Sequence, residues 1–466
     1  MIMSDVFQRF IEDSPVSAMA CALIENALPP AAVDTLFEEV AENQYTRDLL
    51  FSDVVNLMSM VVCKVRPSIN AAYKKNAAIL GVTRKAVYNK INGMEPGIGA
   101  ALVRHTTAAL APIIEAMGGR HAGWLPGHRI KILDGSHLPG TEHRIKPLRT
   151  ERAGALPGQA LVVLEPESML IAEVIPCEDG HTQERAMTGS ILATVGPGEL
   201  WIADRNFCTT ALLFGIVAQG GSFLIRQHGS TLTWETVGPR AAKGPCATGT
   251  VFEQIMQLTG PNQKTLQVRR VTVELNQPTR DGDREIHILT NLPDDAADAP
   301  RVAELYRKRW TLETAFQEME ATLNGEIAAL GYPRAALFAL CVALVAYNVM
   351  STLKAALRSV LGLLRSTRRC RDRTWPKRSP PRPGGCGSRC RRTSGWCSMT
   401  HPLERWPDFS RTWRDACDCR STANNHVGPR SPSRRKPVVT RRNISPRPSC
   451  FEIKDRTRDT TYTGLV

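Results

Sequence analysis

The first 364 residues lack the positive charge that the whole chain suggests. The 466 residues carry a formal charge of +14, yet residues 1–364 hold 34 Lys and Arg against 37 Asp and Glu. Overall basicity therefore gives no ground for a nucleic-acid surface in that region. A glycine-rich phosphate loop is missing too. GRHAGWLPG has no Gly-Lys-Ser/Thr ending, so no ATP is implied. The start MIMSDVFQRFIED has acidic residues and no apolar core, so no secretory leader is expected. The most apolar run, Ala335 to Tyr347, has 13 residues. That is short of the ~18–20 needed to cross a bilayer. A buried helix, no membrane contact and a cytoplasmic location follow as expectations.

Paired zinc-type cysteine spacing is also absent. Seven of the 13 cysteines fall after Gly362, but GCGSRC and CDC do not form a ligand set. Residues 365–466 hold 25 Lys and Arg against 8 Asp and Glu, with 22 of the 25 being arginine. Leu, Ile and Val are scarce there and no helix or strand period holds. Such a segment cannot bury enough apolar surface to offset its chain entropy, so a basic, disordered tail is predicted. Its Arg-, Pro-, Ser- and Cys-rich text has the character of out-of-frame translation of a GC-rich gene. A basic arm that holds DNA is the other reading.

The chain of 466 residues, 42% of them hydrophobic, is long enough for two or three domains. Three acids stand out in it. Asp134 closes the apolar run RIKILDG, Asp204 closes LWIAD, and Glu313 lies in the helical stretch AELYRKRWTLETAFQEME. A carboxylate at the end of a buried strand is costly unless something pairs with it. Two such ends plus a helix carboxylate make a hard oxygen set suited to magnesium or manganese. Two ions held so can serve phosphodiester cleavage. Taken singly, each acid reads better as a capping or turn aspartate or a solvated helix glutamate; it is their company that points to a metal site. On one helix, at ~100° per residue, Tyr306, Arg309, Glu313 and Glu320 fall within ~60° of one another. Leu305, Leu312, Phe316, Met319 and Leu323 form a separate apolar stripe. Arg309 beside Glu313 is placed to grip a phosphate with its planar fork.

Residues 1–125 read as all-helical. Within them AAYKKNAAILGVTRKAVYNKIN has the pattern of a helix-turn-helix, with Gly81 in the turn and Thr83 as cap. Its second helix would carry Arg84, Lys85, Tyr88, Asn89 and Lys90 outward, toward base edges in a major groove. A plain helical hairpin with a basic face fits the pattern equally. From Gly127 short strands follow: RIKILDGSHL, QALVVLEPESM and LIAEVIPCED, then helix HTQERAMTGSILATV, strand LWIADRNF and helix TTALLFGIVAQG. The 109 positions between Asp204 and Glu313 hold further strands, TLTWETV, GTVFEQIMQL and KTLQVRRVTVELN, before EIHILTNLP. These predict an inserted β-rich element at about 229–280. Trp234 in it could stack on a base or pack in a sheet. Glu142, His143 and Arg144 could lean on a phosphate, while His137 and His181 read as local hydrogen-bonders.

Three blocks together resemble the DDE transposases of bacterial insertion sequences, the hairpin-forming insertion-sequence-four group. They are ILDGSHLPGTEHR with Asp134, IADRNF with Asp204, Asn206 and Phe207, and a spaced signature beginning at Tyr306. That signature is Tyr, two residues, Arg, three residues, Glu, six residues, Lys. Tyr306, Arg309 and Glu313 match it in order; position 320 is glutamate instead of lysine. The resemblance covers roughly residues 60–355. It implies an α/β protein with a ribonuclease-H-like catalytic core at 126–364, an all-α DNA-binding domain at 1–125, and the tail at 365–466. Asp134, Asp204 and Glu313 are then the catalytic and metal-binding residues for Mg2+ or Mn2+. Tyr306, Arg309 and Trp234, with Arg84, Lys85, Tyr88, Asn89 and Lys90, face DNA. Double-stranded DNA (terminal repeats and target) and a homodimer in the synaptic complex are the implied partners. An inactive relic, with Glu320 repelling the strand, and a regulator using only the N-terminal domain are the alternatives.

Overall fold

The structure, a computed structural model, describes residues 14–46, 48–138, 158–229, 232–279, 282–327 and 330–369, with backbone alone at Pro15 and over 361–369. These residues belong to one unit. Glu142, His143, Arg144 and the predicted tail beyond Arg369 lie outside the described residues.

Helices come first: α1 (Pro15–Ala27), α2 (Pro30–Val40), α3 (Phe51–Val62), α4 (Ile69–Leu80), α5 (Arg84–Asn92) and α6 (Pro96–Ala116). Local chemistry sets the α4–α5 corner. Ser68 Oγ accepts from Ala71 N and caps α4, which ends at Gly81 with φ +65°. Thr83 Oγ1 then accepts from Ala86 N and starts α5. The two helices therefore meet at Gly81 as expected, a corner common to a helix-turn-helix and to a plain helical hairpin.

The strands β1 (Arg129–His137), β2 (Gln159–Glu165), β3 (Leu170–Cys177), β4 (Glu199–Ala203) and β5 (Ser222–Arg226) run in spatial order β3-β2-β1-β4-β5. The first three are antiparallel neighbours; β4 is parallel to β1 and β5 to β4. Between β3 and β4 lie a 3-10 turn (Glu184–Met187) and a short helix α7 (Thr188–Leu192), where the sequence predicts one helix. Helix α8 (Thr210–Ala218) joins β4 to β5.

The predicted β insertion does not stand apart from this sheet. Strands β6 (Thr233–Thr236), β7 (Ala241–Cys246), β8 (Gly249–Thr259), β9 (Thr265–Leu275) and β10 (Glu285–Thr290) continue it, β10 pairing with both β5 and β9. The result is one 10-stranded sheet. Its β7, spelled AAKGPC, carries Gly and Pro and has no strand signature, so the sequence does not announce it.

Helix α11 (Pro333–Arg369) is the centre of the helical layer and packs on α6, β3 and α3. One buried polar node ties these pieces. Asn348 Oδ1 accepts from Ile171 N at 2.8 Å, and its Nδ2 donates to Thr107 Oγ1 and Ile171 O, both at 3.0 Å. The 13-residue apolar run underestimates this helix. Three stretches among the described residues, Val16–Val40, Pro96–Ala116 and Pro333–Val360, have the length and apolarity to cross a membrane. The most apolar window of Pro333–Val360 is wholly buried in protein, so burial, not shortness, explains its composition. Backbone helix also runs to Arg369, a few residues past the predicted boundary at 365.

The single helix predicted through 306–320 is two. Helix α9 (Ala299–Arg307) and helix α10 (Trp310–Thr322) meet at Lys308 and Arg309. There Lys308 N bonds Leu305 O, Arg309 N bonds Tyr306 O and Leu312 N bonds Arg309 O, all i→i−3 hydrogen bonds. The expected apolar stripe survives the joint: Leu305, Leu312, Met319 and Leu323 are buried and Phe316 packs against them.

Candidate active site

The last pair of the parallel β1–β4 ladder is Leu133 with Ala203. Asp134 and Asp204 follow one residue on, side by side on neighbouring strands ~4.8 Å apart. Leu133 and Ala203 point into the core beneath α8, so alternation turns the two aspartates to the other face. Asp134 is not at a strand end, as the sequence predicts, because β1 runs on to His137 against β2. It is the end of the ladder to β4 that exposes its carboxylate. Asp204 leaves β4 and caps the 3-10 turn Arg205–Phe207, accepting from Asn206 N at 2.9 Å.

Glu313 arrives from the first turn of α10. Arg309 joins it to the sheet: Nη1 donates to Asp134 Oδ2 and Nη2 to Glu313 Oε1, each at 2.8 Å. Burial pushes the Asp134 carboxyl up to about 6; Arg309 opposes this, while the charges of Asp204 and Glu313 add to it. The Arg309 guanidinium is held above its usual value: burial works against its charge, and Asp134, Tyr306, Glu313 and Asp204 outweigh burial. Its Nε is buried without a hydrogen-bond partner among the described residues. Tyr306 sits beside it, its hydroxyl pushed up to about 12, mainly by burial. Exposed Trp310 lies with its ring centroid 5.5 Å from the guanidinium carbon.

Two further residues belong here that the sequence does not single out. Glu184 Oε2 accepts from Asn206 Nδ2 at 3.3 Å, and burial, then the charge of Asp204, raises its carboxyl. It lies directly on Gly135, where any Cβ would collide with Glu184 Oε1. Glycine after Asp134 thus leaves room for Glu184 in its present rotamer, although the mobile end of that side chain could swing aside. An acid opening a helical stretch is routine at the positive end of the helix dipole, so Glu184 carries no signal of its own. Arg226 ends β5 and follows Ile225, the partner of Ala203, which sets it beside Asp204 in register. It pairs with Asp283 at 2.5 Å.

A divalent ion fits this place by donor chemistry. The carboxylates offer only hard oxygen, and burial, the main cause of the rise of Asp134 to about 6, disfavours its bare charge, which a divalent cation would offset. The cage is not ready-made: among the described residues no three His, Cys, Asp or Glu side chains converge closely enough to hold a metal. Arg309 is engaged with two of the three expected ligands instead.

The predicted DNA-facing residues of α5 divide. Arg84, Lys85 and Asn89 are exposed. Lys90 does not point outward: its Nζ donates to Tyr45 O at 3.0 Å and lies 3.9 Å from the Phe37 ring centroid. Tyr88 is also half-buried and packs against the core. The helix is only nine residues long, so its buried face, Val87 and Ile91, takes these neighbours with it. Trp234 stands on β6, whose four residues are all exposed, with the ring centroid 5.3 Å from the Arg270 guanidinium. Glu320 is exposed on α10.

Residues 125–349 match the family described as the transposase DDE domain. That segment includes all three acids, Arg309 and the whole ten-stranded sheet. No curated protein matches the chain. Among solved structures, a piggyBac transposase synaptic complex with hairpin DNA, determined by cryo-EM, is similar at 9% identity and TM-score 0.32, covering 79% of this chain and 84% of that one. A superposition that loose carries no weight for the site.

Proposed function

We propose that this chain is a DDE transposase of the insertion-sequence-four group, which binds element ends and cuts and joins DNA strands with a divalent ion. The observation that carries the reading is the meeting of Asp134, Asp204 and Glu313 at one mouth, with Arg309 clamped between two of them. The strand order β3-β2-β1-β4-β5 with β1–β3 antiparallel supports a ribonuclease-H-like core. In this reading 1–125 is the DNA-binding domain and 126–364 the catalytic one. The text from 365 onward is out of frame, on its composition. The protein works in the cytoplasm, as a dimer on terminal repeats and target DNA.

Asp134, Asp204 and Glu313 would hold Mg2+ or Mn2+, with Glu184 at hand beside Asp204. Bound there, the ion supplies Lewis acidity and a water acidic enough to attack a phosphodiester. The chain's own residues do the rest. Arg309 holds a phosphate oxygen pair in its fork and Tyr306 backs the fork. Trp234 offers an aromatic face to a base, and Arg84, Lys85 and Asn89 read the element end from the major groove.

Substituting D134N, D204N or E313Q is expected to lower metal-dependent cleavage of labelled end DNA by ~10^3-fold or more, the rate equivalent of several kcal/mol of lost stabilisation. End binding is expected to stay. Near-normal cutting by any one of the three removes that residue from the site. One observation favours a second reading, a catalytically inactive relative: Glu320 stands exposed where the family pattern has lysine. In that case the parent chain cuts no DNA, and E320K is the first variant to restore it.

A further inference from the structure

Arg309 commits both arms of its fork to carboxylates on different elements, Asp134 of β1 and Glu313 of α10, at 2.8 Å each. Its third nitrogen, Nε, is buried and has no acceptor among the described residues. Nε and Nη2 share one edge of the guanidinium, the edge that grips a phosphate with two parallel hydrogen bonds. Here Nη2 is spent on Glu313, Nε has no acceptor among the described residues, and the Tyr306 hydroxyl also interacts with the guanidinium. The residue also sits on the joint between α9 and α10, outside either helix.

A guanidinium 2.8 Å from Asp134 Oδ2 and from Glu313 Oε1 opposes a divalent cation on the same two carboxylates, because the two cations repel at contact distance. We infer that Arg309 is an exchangeable counter-cation. It holds Asp134 and Glu313 together until a DNA phosphate takes its Nε–Nη2 edge, and that transfer frees the two carboxylates for the divalent ion. The inference rests on the transposase reading of the site. It deepens that reading by making ion loading contingent on DNA. By linkage the ion then strengthens the grip on DNA by the same factor.

The test is a Mn2+ titration of the full-length chain, followed by loss of the free-ion paramagnetic resonance signal. It is run with and without a short mixed-sequence duplex, the duplex's own uptake being subtracted. The duplex is expected to tighten Mn2+ binding to the unaltered chain by about tenfold or more. R309Q is expected to bind Mn2+ tightly from the start and to gain less than about twofold from the duplex. If R309Q merely removes a repelling charge, both titrations tighten equally and the duplex keeps its full factor, which overturns the exchange. R309K keeps the charge but has no fork, so its duplex factor is expected to fall as well. A full factor in R309K also overturns the exchange, and R309K carries the test alone if circular dichroism shows R309Q unfolded. D134N distinguishes the two levels. Unchanged Mn2+ uptake in D134N removes the site reading itself, whereas lost uptake in D134N with intact coupling in the Arg309 variants removes only the exchange.

Discussion

Arg269 is buried in the outer half of the sheet, and Arg309 is partly buried at its acidic mouth. Arg269 donates through Nε to Glu253, through Nη1 to Leu292 O at 3.0 Å and Ala297 O at 2.7 Å, and through Nη2 to Asp294 at 2.7 Å. Glu253 has a second cation in Lys243 at 2.8 Å, and its carboxyl stays below the usual value although burial works against it. Arg309 instead leaves one nitrogen without an acceptor and one of its acids, Asp134, raised to about 6. The chain can therefore saturate a buried guanidinium where it serves the fold. Arg66 and Arg270 also leave a buried Nε without an acceptor among the described residues, so what sets the mouth apart is the gathering of Asp134, Asp204 and Glu313 around one guanidinium.

Substitution of the two arginines breaks the comparison most directly. R269M leaves Glu253 buried with half its partners and is expected to cost about 3–5 kcal/mol of stability. R309M is expected to cost only about 1–2 kcal/mol. Its two carboxylates reach solvent, and Asp134, already at about 6, can take up a proton. Urea unfolding of both variants at neutral pH measures the difference; equal losses would erase the distinction between a structural and a functional arginine.

Helix α5 repeats the contrast on a smaller scale. Lys90 is spent on Tyr45 O and the Phe37 ring, while Arg84, Lys85 and Asn89 face outward. Replacing those three with alanine is expected to lower discrimination between end and random DNA by ~1–3 kcal/mol for each base edge no longer read, with little change in stability. K90A should do the reverse, lowering stability and sparing discrimination. Competition binding at fixed salt alongside thermal melts separates the two, and a triple variant with its specificity ratio intact would place recognition elsewhere.

The smallest effect concerns the loop that Lys90 holds. Glu95 accepts the backbone N–H groups of Glu42, Asn43 and Gln44 at 2.8–2.9 Å. Burial would raise its carboxyl, but those donors outweigh burial and hold it below the usual glutamate value of 4.5. A depressed carboxyl adds stability that is present above about 4.5 and lost as pH falls through the lower folded value. E95Q is therefore expected to lose at most about 1 kcal/mol at neutral pH, after solvent screening, and to melt with a flatter pH profile between pH 5 and 3. An unchanged acid limb in E95Q would show that the three N–H bonds contribute nothing.

Several of these residues are legible without coordinates. Asp134 and Asp204 stand out because each interrupts an apolar run, and a charge there needs a reason. The turn at Gly81 and the cap at Thr83 follow from local stereochemistry alone. Glu184 is invisible because its carboxylate gains meaning only where Gly135 lets it approach. Lys90 misleads because a basic residue on a short amphipathic helix looks solvated until Phe37 and Tyr45 arrive from other segments.

By itself the sequence determined most element types, though not β7, and the corner between α4 and α5, and it singled out Asp134, Asp204, Glu313 and Arg309 as candidates. Periodicity, capping and the cost of a buried charge are local quantities that a chain carries wherever it goes. Tertiary structure alone decided that the predicted insertion extends the core sheet, since β10 pairs with β5 across 62 to 66 positions. It decided too that one helix breaks into α9 and α10 at Arg309, and that the fork of that residue closes on Asp134, 175 positions away. Those outcomes depend on strand register and on which charges meet in a low-dielectric mouth, and neither is a property of any single stretch of sequence.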